Sequence, residues 1–303
     1  MLHTKKQVNK IKDSLSDRAY QGVISVLMVL LIVAIAYPLI YVISCSFSSG
    51  AALAAGKVIF LPVDFSLTGY AAVLRYKQVW TGYLNAIIIT VVATSINMVL
   101  TTMAAYPLSR RNLQWKGFYS TFFLIVMFFS GGIIPSYILM TKLHLVDTRW
   151  SIILSGGINI YNMIIMRTFF QNSIPNELLE AAKIDGITDI GYLFKIVIPL
   201  SKAIYAVLIL YYAVAHWNAY FNAMLYIRDL DLYPLQLVLK DILSGAKVDL
   251  SRIDDAETLE ALTGLSNLMK YAVIIISTLP VLAVFPFVQK HFEKGVMIGS
   301  VKG

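Results

Sequence analysis

Residues 19–56 read AYQGVISVLMVLLIVAIAYPLIYVISCSFSSGAALAAG, 38 consecutive positions without an Asp, Glu, Lys or Arg. A helix needs about 20 apolar residues to cross the hydrocarbon core of a bilayer. The stretch is long enough for one crossing, with chain left over for structure beside it. Lipid offers no hydrogen bonds to the backbone, so a crossing segment of this kind is helical. The expected fold class is an all-α integral membrane protein.

Working outward, five more uncharged windows follow at 78–109, 117–141, 150–166, 203–227 and 271–289. Each fits one crossing, which predicts six transmembrane helices. The fourth is the shortest, and needs Arg149 or Arg167 to reach an interface by snorkelling. Composition agrees: 14% of the 303 residues are charged and 58% are hydrophobic. A soluble domain carries about 25% charged residues to cover its surface. The formal net charge of +8 would suggest nucleic acid in a soluble protein. In a membrane protein the same excess belongs to cytoplasmic loops, and no nucleic-acid partner is expected.

The basic residues also orient the chain. With the N-terminus inside, the inner segments hold 15 Lys and Arg and 7 acids, against 10 and 10 outside. The inside then carries +8 and the outside 0, so both termini are expected in the cytoplasm. Residues 1–19 form a polar, basic, cytoplasmic N-terminal segment; the apolar run after it is long and no A-x-A-like cleavage site stands out, which favours a retained helix over a cleaved signal peptide. Residues 20–290 make up the transmembrane domain, with a cytoplasmic loop at 171–200 and an extracellular loop at 228–269; residues 291–303 are a cytoplasmic tail. A helix is expected around Asp254–Leu262 in the outer loop. The single cysteine, Cys45, excludes an internal disulfide and a CxxC site. The four histidines, His3, His144, His216 and His291, show no metal-ligand spacing. His144 beside Asp147 reads as solvated.

The loop between windows four and five contains PNELLEAAKIDGITDIGYLFKIVIP, residues 175–199. Pro175 suits the first turn of a helix, and Glu177 and Glu180 suit its positive end. Gly186 sits where a left-handed glycine stops the helix. A helix over Pro175–Asp185 is about 16 Å long, too short and too charged to cross a membrane. A second helix is expected from Thr188 to Ile198, broken by Pro199. Leu178, Ala181, Ala182 and Asp185 fall on neighbouring turns, where the two alanines permit close approach of another surface. By periodicity alone the segment reads equally well as an interfacial anchor.

Glu180-Ala181-Ala182, three residues, Gly186, nine residues and Ile196-Val197-Ile198-Pro199 resemble the EAA motif of the membrane subunits of binding-protein-dependent ABC importers. Ile198 stands where leucine is usual. The short basic N-terminus, six windows and EAA loop before the fifth are similar to the shorter permease of the carbohydrate (maltose and oligosaccharide) branch. HWNAYFNAMLYI, residues 216–227, and YPLQLVLKDIL, residues 233–243, resemble complex-sugar permeases.

The resemblance implies a permease subunit of an ATP-driven importer, translocating a carbohydrate by alternating access in the bacterial cytoplasmic membrane. The implied partners are an ATP-binding cassette ATPase dimer, a second, paralogous permease, an extracellular or periplasmic solute-binding protein, the sugar and membrane lipid. It also implies ATPase coupling through Glu180, Ala181, Ala182, Asp185, Gly186 and Pro199. Glu180 would face a basic groove of the ATPase and the alanines would pack against it. The outer loop of this branch helps engage the binding protein.

No enzymatic site is expected. The string nearest to a phosphate loop, Gly50 to Val58, has one residue too many between its glycines and Val58 where Ser or Thr should hold Mg²⁺. ATP and Mg²⁺ are therefore expected on the partner ATPase, with no cofactor or metal in this chain. No HExxH, GxSxG or clustered His and Asp marks an intramembrane enzyme. A secondary transporter or channel for a small solute is the alternative; it predicts charged groups inside spans, and the windows contain none.

Window five carries His216, Trp217, Asn218, Tyr220 and Asn222. On a continuous helix His216 and Tyr220 share a face, as do Asn218 and Asn222. Amides beside aromatic rings suit a sugar path, and they suit hydrogen bonds to neighbouring helices equally. Ser130-Gly131-Gly132 through Pro135 reads as a break in window three or as a close-packing site. Asn159 and Asn162 are one turn apart with the same ambiguity.

Overall fold

The computed structural model describes residues 14–244, 264–283 and Pro286. Among these residues all regular structure is helical and no strand occurs. The helix expected around Asp254–Leu262 and the tail at 291–303 lie outside the described residues.

The elements in chain order are α1 (Leu15–Ser46), α2 (Gly50–Ala54), α3 (Thr68–Arg75), α4 (Lys77–Ser109), α5 (Lys116–Phe128), α6 (Ile133–Lys142), α7 (Arg149–Leu154) and α8 (Ile160–Ser173). Next come α9 (Asn176–Ile184), α10 (Asp189–Tyr192), a π-turn over Leu193–Val197, α11 (Ile198–Leu200), α12 (Lys202–Asn218), α13 (Phe221–Tyr226) and α14 (Leu235–Leu243). The last described helix is α15 (Gly264–Ala283).

Among the described residues three helices, α1, α4 and α15, are long and apolar enough to cross a membrane. The count reaches five when α5 with α6, bent by 107°, and Asp189–Leu200 with α12, bent by 83°, each count as one span. The uncharged windows therefore overstate helix continuity. Window four divides into α7 and α8, and α8 at about 21 Å is too short to cross alone. Helix α7 ends at Leu154, and two residues on Gly156 takes φ +96°. The freed carbonyls of Gly156 and Gly157 accept from the Asn97 amide at 3.0 and 2.8 Å. A satisfied carbonyl makes a break tolerable at membrane depth, and no charge pattern reports it. Window six also starts late: α15 begins at Gly264 and runs through Lys270, whose ammonium reaches Asn267 at 3.4 Å.

Helix α1 starts at a capping box between Ser14 and Asp17. Its apolar window is not buried at all; Ser44, Cys45 and Ser46 at its far end are buried, and Tyr37 and Tyr41 just before them meet the rings of Phe60 and Tyr271. A helix apolar all round and uncovered by its own chain belongs in lipid or against another subunit. The centre of the fold is α4, along which α12, α8 and α14 pack. Gly82 allows that approach: a Cβ there would stand 3.2 Å from Leu235 Cα and from Val238 Cγ2.

Helix α4 also separates two ends of the molecule. Near its start, Asn85 donates to the carbonyls of Asp231 and Tyr233. Near its finish, the Tyr106 hydroxyl donates to the carbonyl of Asp189. The 21 residues between Asn85 and Tyr106 rise about 31 Å, close to the thickness of a bilayer core. The 176–200 segment and the 230–243 segment thus pack at opposite ends of a helix of membrane-spanning length.

Candidate functional site

The helix expected over Pro175–Asp185 forms over Asn176–Ile184, with Pro175 as its N-cap and Asp185 as its C-cap. Gly186 stands at φ +74°, the left-handed geometry that ends a helix cheaply only at glycine. The Gly186 N–H returns to the Lys183 carbonyl and the Ile187 N–H to the Ala182 carbonyl, so the reversal satisfies its own backbone. Thr188 then caps α10 by accepting from the Gly191 N–H at 3.1 Å.

Pro199 does not break the second helix. The helical path continues through it to Leu200 and stops at Ser201. Proline has no N–H, so one carbonyl in the preceding turn loses its partner. The π-turn over Leu193–Val197 absorbs this change, with Ile198 donating to the Leu193 carbonyl five residues back.

The alanine pair divides between two surfaces. Ala182 is buried with Phe170, Ile174, Tyr192 and Val197 of its own chain, so it packs inward and does not offer itself to a partner. Ala181 is exposed, as are Glu177, Glu180 and Asp185. The same segment exposes large apolar side chains: Ile184 is 87% exposed, Ile190 71% and Phe194 64%. Apolar groups in that density mark a face that another protein or the membrane surface covers.

The segment is tied to α4 at several points. Besides the Tyr106–Asp189 bond at 2.8 Å, the helix that leads into it, α8, is held there by the Gln171 amide, which reaches the carbonyls of Leu108 and Ser109. The Arg110 guanidinium lies between the rings of Tyr106 and Tyr192. Sequence reasoning missed Tyr106, Arg110 and Tyr192, since nothing in their spacing announces a cluster 82 residues apart in sequence from Arg110 to Tyr192.

The window-five residues do not form the two faces expected of them. Helix α12 ends at Asn218, Ala219 is extended with ψ 106°, and α13 starts at Phe221. Neither pair is therefore one turn apart on a continuous helix. His216 Nε2 lies 2.6 Å from Asn97 Oδ1. The Trp217 indole N–H donates to the Ser277 carbonyl at 3.2 Å, and Asn222 donates to the Ser155 hydroxyl at 3.0 Å. These three side chains hold α12 and α13 to their neighbours. Asn218 donates to the Val214 carbonyl of its own helix and stays exposed. Tyr220 is 44% exposed and lines a pocket of about 520 Å³ with Gln236, Leu239, Lys240, Leu243 and Ser244.

The other ambiguous groups also resolve. Ser130–Gly132 is a break: Gly132 stands at φ +85°, and a Cβ at Gly131 or Gly132 would meet nothing closer than 3.9 Å, so these residues mediate no close packing among the described residues of this chain. Asn159 caps α8 by accepting from the Asn162 N–H at 3.1 Å. His144 is exposed, as expected, and Asp147 beside it is an anchor. Its carboxylate accepts from the N–H groups of Arg228 and Asp229 at 2.8 and 2.9 Å, and those bonds hold it below its ordinary pKa. Arg149 donates to Asn85 and Arg167 to Ser120, so both arginines beside window four find protein partners. Among the described residues no group of three His, Cys, Asp or Glu is placed to hold a metal ion.

Residues 103–298 match the family described as binding-protein-dependent transport system inner membrane component. The chain is 42% identical over 271 residues to the Bacillus subtilis polygalacturonan/rhamnogalacturonan transport system permease protein YtcP, covering 88% of this chain and 92% of that one. It is 41% identical over 266 residues to the B. subtilis protein LplC, covering 88% of this chain and 89% of that one. Its fold matches a chain in the crystal structure of a bacterial ABC transporter involved in the import of the acidic polysaccharide alginate. That match has a TM-score of 0.84 and 35% identity, and covers 93% of this chain and 99% of the other.

Proposed function

The chain belongs to the family of binding-protein-dependent transport system inner membrane components, and we propose that it carries an acidic saccharide as the permease subunit of an ATP-driven importer. It is a multi-pass membrane protein and a carbohydrate ABC permease by family and by its relatives. Family members of this kind are permease subunits without an ATPase of their own. The finer reading concerns substrate, topology and partners.

One observation carries the substrate class. Two relatives at 35–42% identity over most of the chain bear names of uronate polymers, polygalacturonan and alginate. Such substrates are polyanions with apolar ring faces. The pocket shared by Tyr220, Gln236 and Lys240 offers an aromatic ring, an amide and a cation, the three groups such a chain would meet. Lys240 also lies 3.7 Å from Asp241, its own side chain 43% exposed against 16% for Asp241, so the ammonium stays open to a ligand carboxylate.

The topology follows the same reading. Six crossings with both termini in the bacterial cytoplasmic membrane's inner side place α9 and α10 in the cytoplasm and α14 outside. The spacing of Asn85 and Tyr106 along α4 supports that separation. A partner ATPase dimer would then cover Glu180, Ala181, Ile184 and Phe194, bind ATP and Mg²⁺ itself, and drive alternating access through the 176–200 segment. A paralogous permease would cover α1, and a solute-binding protein would dock at the α14 end.

The test is the complete transporter reconstituted in vesicles, with uptake of oligogalacturonate and of neutral maltodextrin measured side by side. ATP-dependent uptake of the acidic sugar, several-fold above the neutral one, is expected. Preference for the neutral sugar overturns the substrate class, and uptake that persists without the ATPase overturns the importer reading.

A further inference from the structure

Arg110 ends α4 and lies between two rings. Its guanidinium carbon is 4.5 Å from the centroid of Tyr106 and 5.0 Å from that of Tyr192. Tyr106 stands one turn earlier on α4, whereas Tyr192, fully buried, belongs to α10. The arginine therefore bridges two bodies, the central helix and the segment that carries the EAA-like string. Its Nε and Nη2 atoms are buried and have no hydrogen-bond partner, and neither does the Tyr192 hydroxyl. Buried charged donors left unmet are costly, so the surrounding packing must hold this arrangement in place.

The kind of contact matters to what it can transmit. A hydrogen bond fixes an angle as well as a distance. A cation over a ring face is attracted anywhere within about 6 Å of the centroid. A guanidinium held by two ring faces and by no hydrogen bond at Nε or Nη2 resists separation yet tolerates rotation. That is the behaviour of a joint.

We propose that Arg110 is a positioning residue for transport, the joint through which displacement of α9 and α10 reaches α4. Its neighbours support the division of labour. The Tyr106–Asp189 bond is a single point of attachment between the two bodies, and the arginine over the rings lets them turn about it. The inference rests on the importer reading, and the ratio of sugar moved per ATP hydrolysed separates the two. A wild-type complex that moves no sugar defeats both, while a coupled wild type isolates the joint.

The experiment compares the reconstituted full transporter carrying Arg110→Ala, Arg110→Lys, Tyr192→Leu or Tyr192→Phe. Arg110→Ala and Tyr192→Leu are expected to lower the ratio at least tenfold while ATP hydrolysis stays within twofold of wild type. Arg110→Lys keeps a cation over the rings and is expected to retain about half the ratio. Tyr192→Phe removes only an unpartnered hydroxyl and is expected to match wild type. An Arg110→Ala ratio within twofold of wild type overturns the proposal, as does Arg110→Lys falling as low as Arg110→Ala. Where Arg110→Ala lowers yield, the ratio is read in the complexes that form, and equal ratios for Tyr192→Leu and Tyr192→Phe overturn it.

Discussion

His216 Nε2 lies 2.6 Å from Asn97 Oδ1, and the rest of the Asn97 amide decides what that contact is. Its Nδ2 donates to the carbonyls of Gly156 and Gly157, which leaves Oδ1 facing the imidazole as an acceptor. The proton therefore sits on Nε2, and His216 donates. One asparagine thus ties α4, α12 and the break between α7 and α8.

Asn97→Leu removes all three bonds and leaves two carbonyls and an imidazole unpaired. Interhelical hydrogen bonds in membranes average about 0.6 kcal/mol, reaching about 1.7, so a loss of roughly 2 kcal/mol is expected. His216→Ala removes one of the three bonds and should cost about a third of that. Thermal unfolding of the purified complex checks the order, with uptake per assembled complex unchanged. Lost uptake at an unchanged melting temperature would instead put His216 in the sugar path.

The open pocket makes the opposite prediction. Tyr220→Ala and Lys240→Gln alter side chains that line an open pocket, and glutamine can still hydrogen-bond to Asp241, so assembly and melting temperature should hold. Uptake of an acidic oligosaccharide should fall about two- to tenfold, matching a loss of up to about 1.4 kcal/mol. Lys240→Gln should leave uptake of a neutral sugar unaffected. Equal losses for both sugars would remove the charge-recognition role. Asn222→Ala breaks the bond to Ser155 and should lower stability while sparing transport per complex.

In the 176–200 segment, charge and backbone geometry are separable. Glu180 is exposed, so Glu180→Lys should leave folding intact and uncouple ATP hydrolysis from uptake. Gly186→Ala adds a Cβ into open space at φ +74°, so only the left-handed backbone is penalised, by about 1–2 kcal/mol. Gly186→Pro cannot adopt that φ and should both uncouple and destabilise. Wild-type coupling in Glu180→Lys and Gly186→Pro together would dissociate this segment from ATP-driven motion.

Topology can be read with thiols, after Cys45→Ala removes the single native cysteine. Leu230, 42% exposed, and Ile184, 87% exposed, sit at opposite ends of α4. Leu230→Cys should react with an impermeant reagent in intact cells, and Ile184→Cys only after lysis. The reverse pattern would invert the orientation and place the EAA-like string out of reach of any cytoplasmic ATPase.

The sequence by itself determined the class of molecule and its most informative loop. Uncharged windows specify lipid-compatible helices, because transferring charge into hydrocarbon is expensive wherever it occurs. Pro175, Gly186 and Thr188 specify a helix, its reversal and the next cap, because these are local backbone preferences that need no distant partner. The tertiary structure decided everything that depends on who satisfies a polar group. A break at Gly156 is stable only because Asn97, 59 residues away, accepts the task of bonding its carbonyl. The faces expected of Asn218 and Asn222 vanish because the chain turns at Ala219, and Ala182 turns inward because Tyr192 and Phe170 lie behind it. Spacing along a chain encodes faces only while the helix lasts, and in a membrane the helix lasts only until another element supplies the missing hydrogen bond.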